Sequence, residues 1–179
     1  SVCETFAYPI KKKKMTPADL DDLIKNKLTT TTALKDLKDV DLVIEAVLED
    51  MKIKMDIWKQ LDVICQPVAI FATNTSALPI TDIAKSLTDP GRMIGMHFFN
   101  PADRMQLLEV ICAEKTSNLT LATSVAFCRN IKKIPVVVND GPGFYVSRQL
   151  GGLFGGSVYL VADGVAGSVI EGAMVDFGM

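Results

Sequence analysis

The chain has 179 residues, of which 49% are hydrophobic, and a formal net charge of −2 from 19 basic and 21 acidic side chains. That length is enough for one domain and part of a second, with a sizeable buried core. Because the charges nearly balance, the composition gives no reason to expect nucleic acid or an anionic membrane as a partner. No apolar run is long enough to cross a bilayer, so we expect no transmembrane segment.

The four cysteines do not form a metal or redox motif. They are Cys3, Cys65, Cys112 and Cys128, and no two have the close spacing of zinc or dithiol motifs. Three of them lie in apolar stretches, where a free thiol behaves as a small hydrophobic group. We therefore expect a reducing compartment and no metal.

Apolar periodicity and capping signals predict alternating helices and strands. Thr16, Pro17 and Asp19 form a helix start, with a cap, a proline in the first turn and an acid near the positive helix end. The basic run at 11–14 that precedes it is interpreted as a solvated helix face. The predicted elements are a helix from residue 16 that ends before 29, a strand at 41–47, a helix from about 50, a strand at 68–72, a short helix at 79–87, a strand at 92–99, a helix at 117–129 and a strand at 134–138. The helix after residue 50 is predicted to bury one stripe, made by Ile53, Ile57, Leu61 and Ile64.

This alternation, with strands that are apolar on both faces, predicts an α/β fold with a mainly parallel sheet covered by helices. The Asp-Gly-Pro-Gly segment at 140–143 is the one strong break, and only helical pattern follows it. We therefore predict one domain over 1–139 and the start of an all-helical domain over 140–179. Six glycines between 151 and 167 disfavour helix there unless packing enforces it.

Ligands of open parallel sheets bind beyond the carboxyl ends of the strands. That rule selects, after three successive predicted strands, Glu45, Ala46, Val47 and Glu49, then Asn74, Thr75 and Ser76, then His97, Asn100 and Pro101. A solvated loop would also be polar, so a second signal is needed to identify a site.

His97 and Glu109 supply that second signal. His97 is the only histidine, and it lies between apolar neighbours; a satisfied core histidine is one interpretation. Glu109 lies in an apolar stretch, where a carboxylate is costly to bury unless it is paired. A carboxylate that holds an imidazole fixes its tautomer and favours its protonation, as a general base requires. The alternative is that Glu109 pairs with a surface lysine or arginine.

Ser76 is not predicted to be a nucleophile, because no Gly-x-Ser-x-Gly elbow surrounds it. Its hydroxyl is expected to hydrogen-bond a substrate or cofactor. The competing interpretation is that Thr75 or Ser76 caps the short helix that follows Pro79.

Several segments together resemble the 3-hydroxyacyl-CoA dehydrogenase family in order and spacing. They are the strand at 41–47, Asn-Thr-Ser-Ala-Leu-Pro-Ile at 74–80, Gly-Met-His-Phe-Phe-Asn-Pro at 95–101, Leu-Glu-Val-Ile at 108–111 and Gly-Pro-Gly-Phe at 141–144. The resemblance covers nearly the whole chain. Within the family, segments 75–80, 105–109 and 114–117 look most like the alpha subunits of mitochondrial trifunctional enzymes.

The resemblance implies a Rossmann-like sheet, NAD as cofactor and the oxidation of L-3-hydroxyacyl-CoA in fatty acid β-oxidation. It implies that His97 is the general base, that Glu109 orients it, and that Ser76 binds the substrate oxygen. The positions that would line the NAD site are Ala46, Glu49, Lys54, Asn74 and Asn100. Implied partners are an acyl-CoA substrate and either a second copy of the chain or a thiolase subunit. The implied location is mitochondrial, with peroxisomal or bacterial cytoplasmic alternatives.

Two departures from the family pattern qualify these expectations. The family's glycine-rich turn of the form G-x-G-x-x-G and its first strands are absent from the sequence, and the helical domain stops early, so we expect a fragment that does not bind NAD by itself. Ser147 stands where many members have Asn, and it is expected to bind substrate as a subfamily trait.

Two further hypotheses stay open at this point. The chain could be a non-catalytic remnant of such an enzyme, which the absent glycine turn favours. It could also act on short hydroxy acids, which the segments at 74–76 and 97–101 argue against.

Overall fold

The computed structural model describes residues 6, 10–13 and 15–178. The chain divides into two compact units, residues 1–36 and residues 37–179. Cys3 and the last lysine of the basic run lie outside the described residues, and so does most of the segment before that run. The predicted domain boundary between 139 and 140 falls inside the second unit and stays a prediction.

The first unit contains helix α1, Pro17–Asn26, which begins as predicted. Thr16 is its N-cap: the Thr16 hydroxyl accepts the Asp19 N–H at 3.1 Å, and the Asp19 carboxylate accepts the Thr16 N–H at 2.8 Å. Lysines 11–13 are exposed, as expected of a solvated run. A 3-10 turn, Leu34–Leu37, follows.

The second unit alternates strands and helices, as the sequence pattern predicts. Its elements are β1 Leu42–Glu45, α2 Met51–Ile64, β2 Ile70–Thr73, α3 Ile80–Ala84, β3 Met93–Phe98, β4 Leu107–Cys112, α4 Asn118–Asn130, β5 Ile134–Asn139, α5 Val146–Ala162 and α6 Gly167–Phe177.

Five strands form one mixed sheet in the order β1-β2-β3-β4-β5. Strands β1, β2 and β3 are parallel neighbours, β4 runs antiparallel to β3, and β5 is parallel to β4. The predicted α/β class is confirmed. Strand β4 was not among the predicted strands, because a carboxylate in its middle and no clear turn signal conceal it in the sequence.

The two faces of the sheet have different roles. One face buries an apolar cluster of Ile70, Ala72, Ile94, Met96, Leu108, Val110 and Cys128, against which residues of α4 pack. The other face carries Phe71, whose ring lies 5.0 Å from that of Trp58 in α2. Because side chains alternate along a strand, this second face also carries the polar side chains described below.

The predicted stripe of helix α2 is confirmed in part. Leu61 is buried and two other members of the stripe are half-buried, while Ile53 is exposed. The other buried residues of α2 are Lys54 and Trp58. Apolar periodicity alone cannot select Lys54, because a lysine scores as polar.

Helices α5 and α6 hold none of the buried residues of the described chain. Helix α5 forms in spite of its glycines, and the role of packing there stays a prediction. No helix within the described ranges is long and apolar enough to cross a membrane.

Gly95 allows β3, β4 and α3 to pack closely. A Cβ atom built on Gly95 would lie 2.9 Å from Cβ of Ile111 and 3.0 Å from Cδ1 of Ile80. The first of these atoms is next to the backbone of β4 and cannot move aside by a rotamer change. A side chain at residue 95 would therefore force the two strands or α3 apart.

We expect Gly95→Ala to destabilise the chain by about 1–3 kcal/mol, the usual cost of overpacking a core. Urea denaturation followed by circular dichroism measures this loss. Gly152→Ala is the matched control, because no atom lies within 4 Å of a Cβ at Gly152 and alanine favours helix. Equal stability of the Gly95→Ala variant and the wild type would contradict the close approach described here.

Candidate active site

The carboxyl ends of β1, β2 and β3 meet at one edge of the sheet because these strands are parallel. Glu45 pairs in register with Thr73, and Thr73 with Gly95. Two residues further along β3 is His97, which pairs with Glu109 of β4. Side chains of all four polar residues therefore lie on one face at this edge.

His97 and Glu109 form a buried pair. His97 Nδ1 lies 2.7 Å from Glu109 Oε2. Glu109 is fully buried, and the His97 side chain is nearly so. The alternative that Glu109 pairs with a surface lysine or arginine is wrong, since no such pair is formed among the described residues.

The second oxygen of Glu109 binds the start of helix α5. Glu109 Oε1 accepts the N–H groups of Tyr145 at 3.1 Å and Val146 at 2.9 Å. Gly143 and Phe144, which precede them, have φ values of 70° and 49°. These two left-handed residues turn the chain so that the first N–H groups of α5 reach the carboxylate, where the positive end of a helix stabilises negative charge.

Aromatic rings enclose the imidazole. The Phe99 ring lies 4.6 Å and the Phe144 ring 5.9 Å from the His97 ring. Nδ1 bonds Glu109, and Nε2 makes no hydrogen bond within the described residues. The ring is therefore fixed through one nitrogen and leaves the other available.

A buried ion pair joins β1 to helix α2. Lys54 is 1% exposed, and its Nζ lies 2.7 Å from Glu45 Oε1 and 3.4 Å from Glu49 Oε2. Glu45 also accepts the Thr73 hydroxyl and the Val47 N–H, each at 2.7 Å. Every formal charge in this group thus has an opposite charge or a hydrogen bond, as burial demands.

Glu49 holds the loop that follows β2. Its Oε1 accepts the Thr75 hydroxyl and the N–H groups of Ser76, at 3.0 Å, and Ala77, at 3.3 Å. Partial burial acts to raise the pKa of Glu49, but the Thr75 and Ser76 hydrogen bonds and the Lys54 charge outweigh it and hold the pKa below its ordinary value. The side chain of Glu49 stays 44% exposed, so its carboxylate is open to a ligand.

The loop that carries Ser76 is anchored while its hydroxyl is left free. Asn74 Oδ1 accepts the Phe98 N–H at 2.8 Å, which ties the loop to the end of β3. Ser76 is exposed, and its hydroxyl makes no hydrogen bond among the described residues. The capping interpretation is wrong, because the N-cap of α3 is Pro79 and no side chain of the loop caps that helix.

The remaining predicted positions differ in how far the structure supports a contact. Ala46 and Asn100 are exposed; Ala46 directly follows β1, and Asn100 lies two residues beyond the end of β3. Ser147 is half-buried in the first turn of α5, one residue after Val146. Lys54, by contrast, is buried and bound to the carboxylates of Glu45 and Glu49, so its ammonium group is not open to a ligand.

Comparison with known families identifies the fold. Residues 2–141 match the model of the family described as "3-hydroxyacyl-CoA dehydrogenase, NAD binding domain". The chain belongs to this family. The resemblance found in the sequence motifs is therefore confirmed, and NAD is confirmed as the cofactor of the family.

Curated relatives are much longer than the chain. The fatty acid oxidation complex subunit alpha of Shewanella baltica is 44% identical over 169 residues, which are 94% of this chain and 24% of the relative. The subunit of the same name from Shewanella loihica is 44% identical over 173 residues, 97% of this chain and 24% of the relative. The chain thus spans about a quarter of the length of these bacterial proteins.

Solved structures share the fold. The (S)-3-hydroxybutyryl-CoA dehydrogenase PaaH1 of Ralstonia eutropha matches with a TM-score of 0.88 and 37% identity, over 92% of this chain and 58% of that chain. The 3-hydroxybutyryl-CoA dehydrogenase of Escherichia coli matches with a TM-score of 0.85 and 31% identity, over 91% and 34% respectively.

The residues at the carboxyl edge have the chemistry that a dinucleotide's ribose requires. An exposed, ionised Glu49 can accept hydrogen bonds from ribose hydroxyls, and exposed Ala46 and Asn100 leave room beside it. The sequence of residues 1–179 holds no G-x-G-x-x-G turn.

Sequence reasoning missed Thr73, and it did not predict the supporting roles of Glu45, Thr75, Asp140 and Phe144. Glu45 gives the same signal as Glu109, a carboxylate at the end of an apolar run, and that signal could have indicated a buried partner. Nothing in the sequence indicates that Asp140 binds Ile80 and Thr81, which lie about 60 residues away.

We expect Lys54→Met to destabilise the chain by about 3–5 kcal/mol, because Glu45 would keep a buried charge without its cation. Adding Glu45→Gln should recover part of the loss. Lys52→Met, on the exposed face of α2, is the matched control and should change stability by less than about 0.5 kcal/mol. Equal effects of the two lysine variants in urea denaturation would show that Lys54 is not needed to stabilise Glu45.

The lowered pKa of Glu49 predicts how its contribution to stability depends on pH. A carboxylate whose folded-state pKa is below its ordinary value of 4.5 stabilises the fold above that value and loses this effect as pH falls through the folded pKa. We expect the gap in free energy of unfolding between wild type and Glu49→Gln to be constant near neutral pH and to shrink in acid. A gap that is independent of pH would contradict the hydrogen bonds assigned to Glu49.

Proposed function

We propose that the chain is the dehydrogenase portion of an enzyme that oxidises L-3-hydroxyacyl-CoA to 3-ketoacyl-CoA with NAD⁺ in fatty acid β-oxidation. The observation that carries this proposal is the contact of 2.7 Å between His97 Nδ1 and Glu109 Oε2, with Nε2 left unbonded. Family membership and the names of the relatives support the substrate class.

The geometry gives His97 the properties of a general base. The Glu109 carboxylate accepts a hydrogen bond from the N–H at Nδ1, so the lone pair of the imidazole resides on Nε2. Nε2 then takes the proton of the substrate 3-hydroxyl, and Glu109 stabilises the imidazolium that results. The two N–H groups of α5 hold Glu109 Oε1 and prevent the carboxylate from turning away.

Ser76 and Ser147 are proposed to bind the substrate. The free Ser76 hydroxyl can donate a hydrogen bond to the oxygen on C3, which holds that oxygen against His97. Glu49, Ala46 and Asn100 are proposed to contact the cofactor, with Asn74 and Lys54 as their supports. NAD, when bound, supplies the acceptor for the hydrogen and electron pair that leave C3.

The proposal extends to the full-length protein. Because the named relatives are subunits about four times as long, we propose a multifunctional subunit that associates with a thiolase subunit or with a second copy of itself. The mitochondrial location finds no support in these bacterial relatives, which favour the bacterial alternative.

The test is the activity of variants of the full-length protein. We expect His97→Gln to lower kcat for L-3-hydroxyacyl-CoA oxidation by NAD⁺ at least ~10²-fold, since a positioned general base contributes that much. NADH binding, measured by calorimetry, should hardly change. Glu109→Gln should also lower kcat strongly, and the double variant should be little worse than the worse single variant, because the pair acts as a unit.

Glu114→Gln is the matched control, because Glu114 is exposed just beyond the end of β4. It should keep wild-type kcat. Near-normal turnover of His97→Gln would mean that His97 is only a core histidine. An inactive wild-type protein would favour the non-catalytic remnant.

A further inference from the structure

Asp140 joins three segments that are far apart in sequence. It follows the last residue of β5, and its N–H bonds the Cys112 carbonyl at 3.1 Å. Its carboxylate accepts N–H groups from Ile80 at 3.1 Å, Thr81 at 2.7 Å and Gly141 at 2.9 Å. A carboxylate that accepts three backbone donors is fixed in both position and orientation.

Asp140 provides the cap that α3 lacks. Pro79, the N-cap of this helix, makes no side-chain capping bond. The first N–H groups of a helix require acceptors, and Asp140 supplies both of its carboxylate oxygens to those of Ile80 and Thr81. The position of the α3 start thus depends on a residue 59 or 60 places later in the chain.

The loop at 74–79, which carries Ser76, is held at three points. Asn74 bonds the end of β3, Glu49 binds the middle of the loop, and Asp140 fixes the helix into which the loop leads. The first two anchors come from β3 and from the segment after β1. The third comes from the side of the sheet where β4 and β5 lie, and there the Thr81 hydroxyl also accepts the Glu114 N–H at 3.1 Å.

Asp140 is also the first residue of the junction that ends at α5. Four residues after Gly141, the Tyr145 N–H binds Glu109. The junction at 140–145 therefore binds Glu109, which holds His97, at one end and the start of α3, which follows the Ser76 loop, at the other. If α3 moved relative to Glu109, the hydrogen bonds of Asp140 would have to break.

We propose that Asp140 is a positioning residue of the dehydrogenase reaction, which sets the Ser76 loop relative to the His97–Glu109 pair. This inference rests on the proposed function. Asp140 does not touch the substrate; it acts through Ser76, by keeping its hydroxyl where the oxygen on C3 must lie. Small displacements of such groups cost rate more than they cost stability.

The test is a double-mutant cycle between Asp140 and Ser76 in the full-length protein. Asp140→Asn keeps the size but offers one acceptor oxygen in place of two. We expect it to lower kcat roughly 10- to 100-fold in the wild-type background. In a Ser76→Ala background it should lower kcat little further, because the group that it positions is already gone. Asp82→Asn, in the same helix and paired with Lys85 at the surface, is the matched control and should leave kcat unchanged.

The possible results separate the two proposals. An inactive wild-type protein overturns the proposed function and this inference with it. An active wild type in which Asp140→Asn keeps normal kcat, or lowers kcat equally with and without Ser76, overturns the positioning role alone. If the Asp140→Asn variant does not fold, Asp140→Glu replaces it in the double-mutant cycle with Ser76→Ala. Glutamate keeps both carboxylate oxygens but displaces them by one methylene. A loss in kcat that vanishes in the Ser76→Ala background supports the proposal.

Discussion

The burial of the Glu109 carboxylate is the constraint on which the rest of the site depends. A fully buried charge in the middle of an apolar strand is tolerated only if both oxygens are satisfied. One oxygen binds the imidazole of His97, and the other binds the two N–H groups that begin α5. Removing any of these partners would leave a charge without compensation, so the histidine, the strand and the helix start are fixed together.

Other carboxylates around the site work in a similar way. Glu45 binds a buried lysine, a hydroxyl and a backbone N–H. Glu49 accepts hydrogen bonds from the loop after β2, and Asp140, which follows β5, accepts them from the start of α3. Each carboxylate joins segments that lie far apart in the chain. Charge-assisted hydrogen bonds therefore define the orientations of these segments, which apolar packing alone would not do.

This rigidity explains which groups stay free. Within the described chain the Ser76 hydroxyl and His97 Nε2 have no partner, although the Ser76 N–H binds Glu49 and His97 Nδ1 binds Glu109. Both groups are held in place by their surroundings, but the atom that would meet a ligand is not hydrogen-bonded. Such groups are preorganised, so binding a ligand costs little side-chain conformational entropy.

The sequence by itself determined the α/β class, most of the strands and helices, and the identity of the His97–Glu109 pair. Periodicity and caps act over a few residues, so they can be read locally, and an isolated carboxylate in an apolar run is a local anomaly. The family resemblance added the cofactor and the expected roles of Ser76 and Glu49.

Only the tertiary structure decided how these residues are held. The antiparallel direction of β4 brings Glu109 opposite His97, and the buried face of α2 includes Lys54, which its apolar stripe does not contain. The contacts of Asp140 likewise depend on pairing across the whole sheet. The physical reason is that these interactions join residues distant in sequence, and a partner for a buried charge is selected by the fold, which no local pattern encodes.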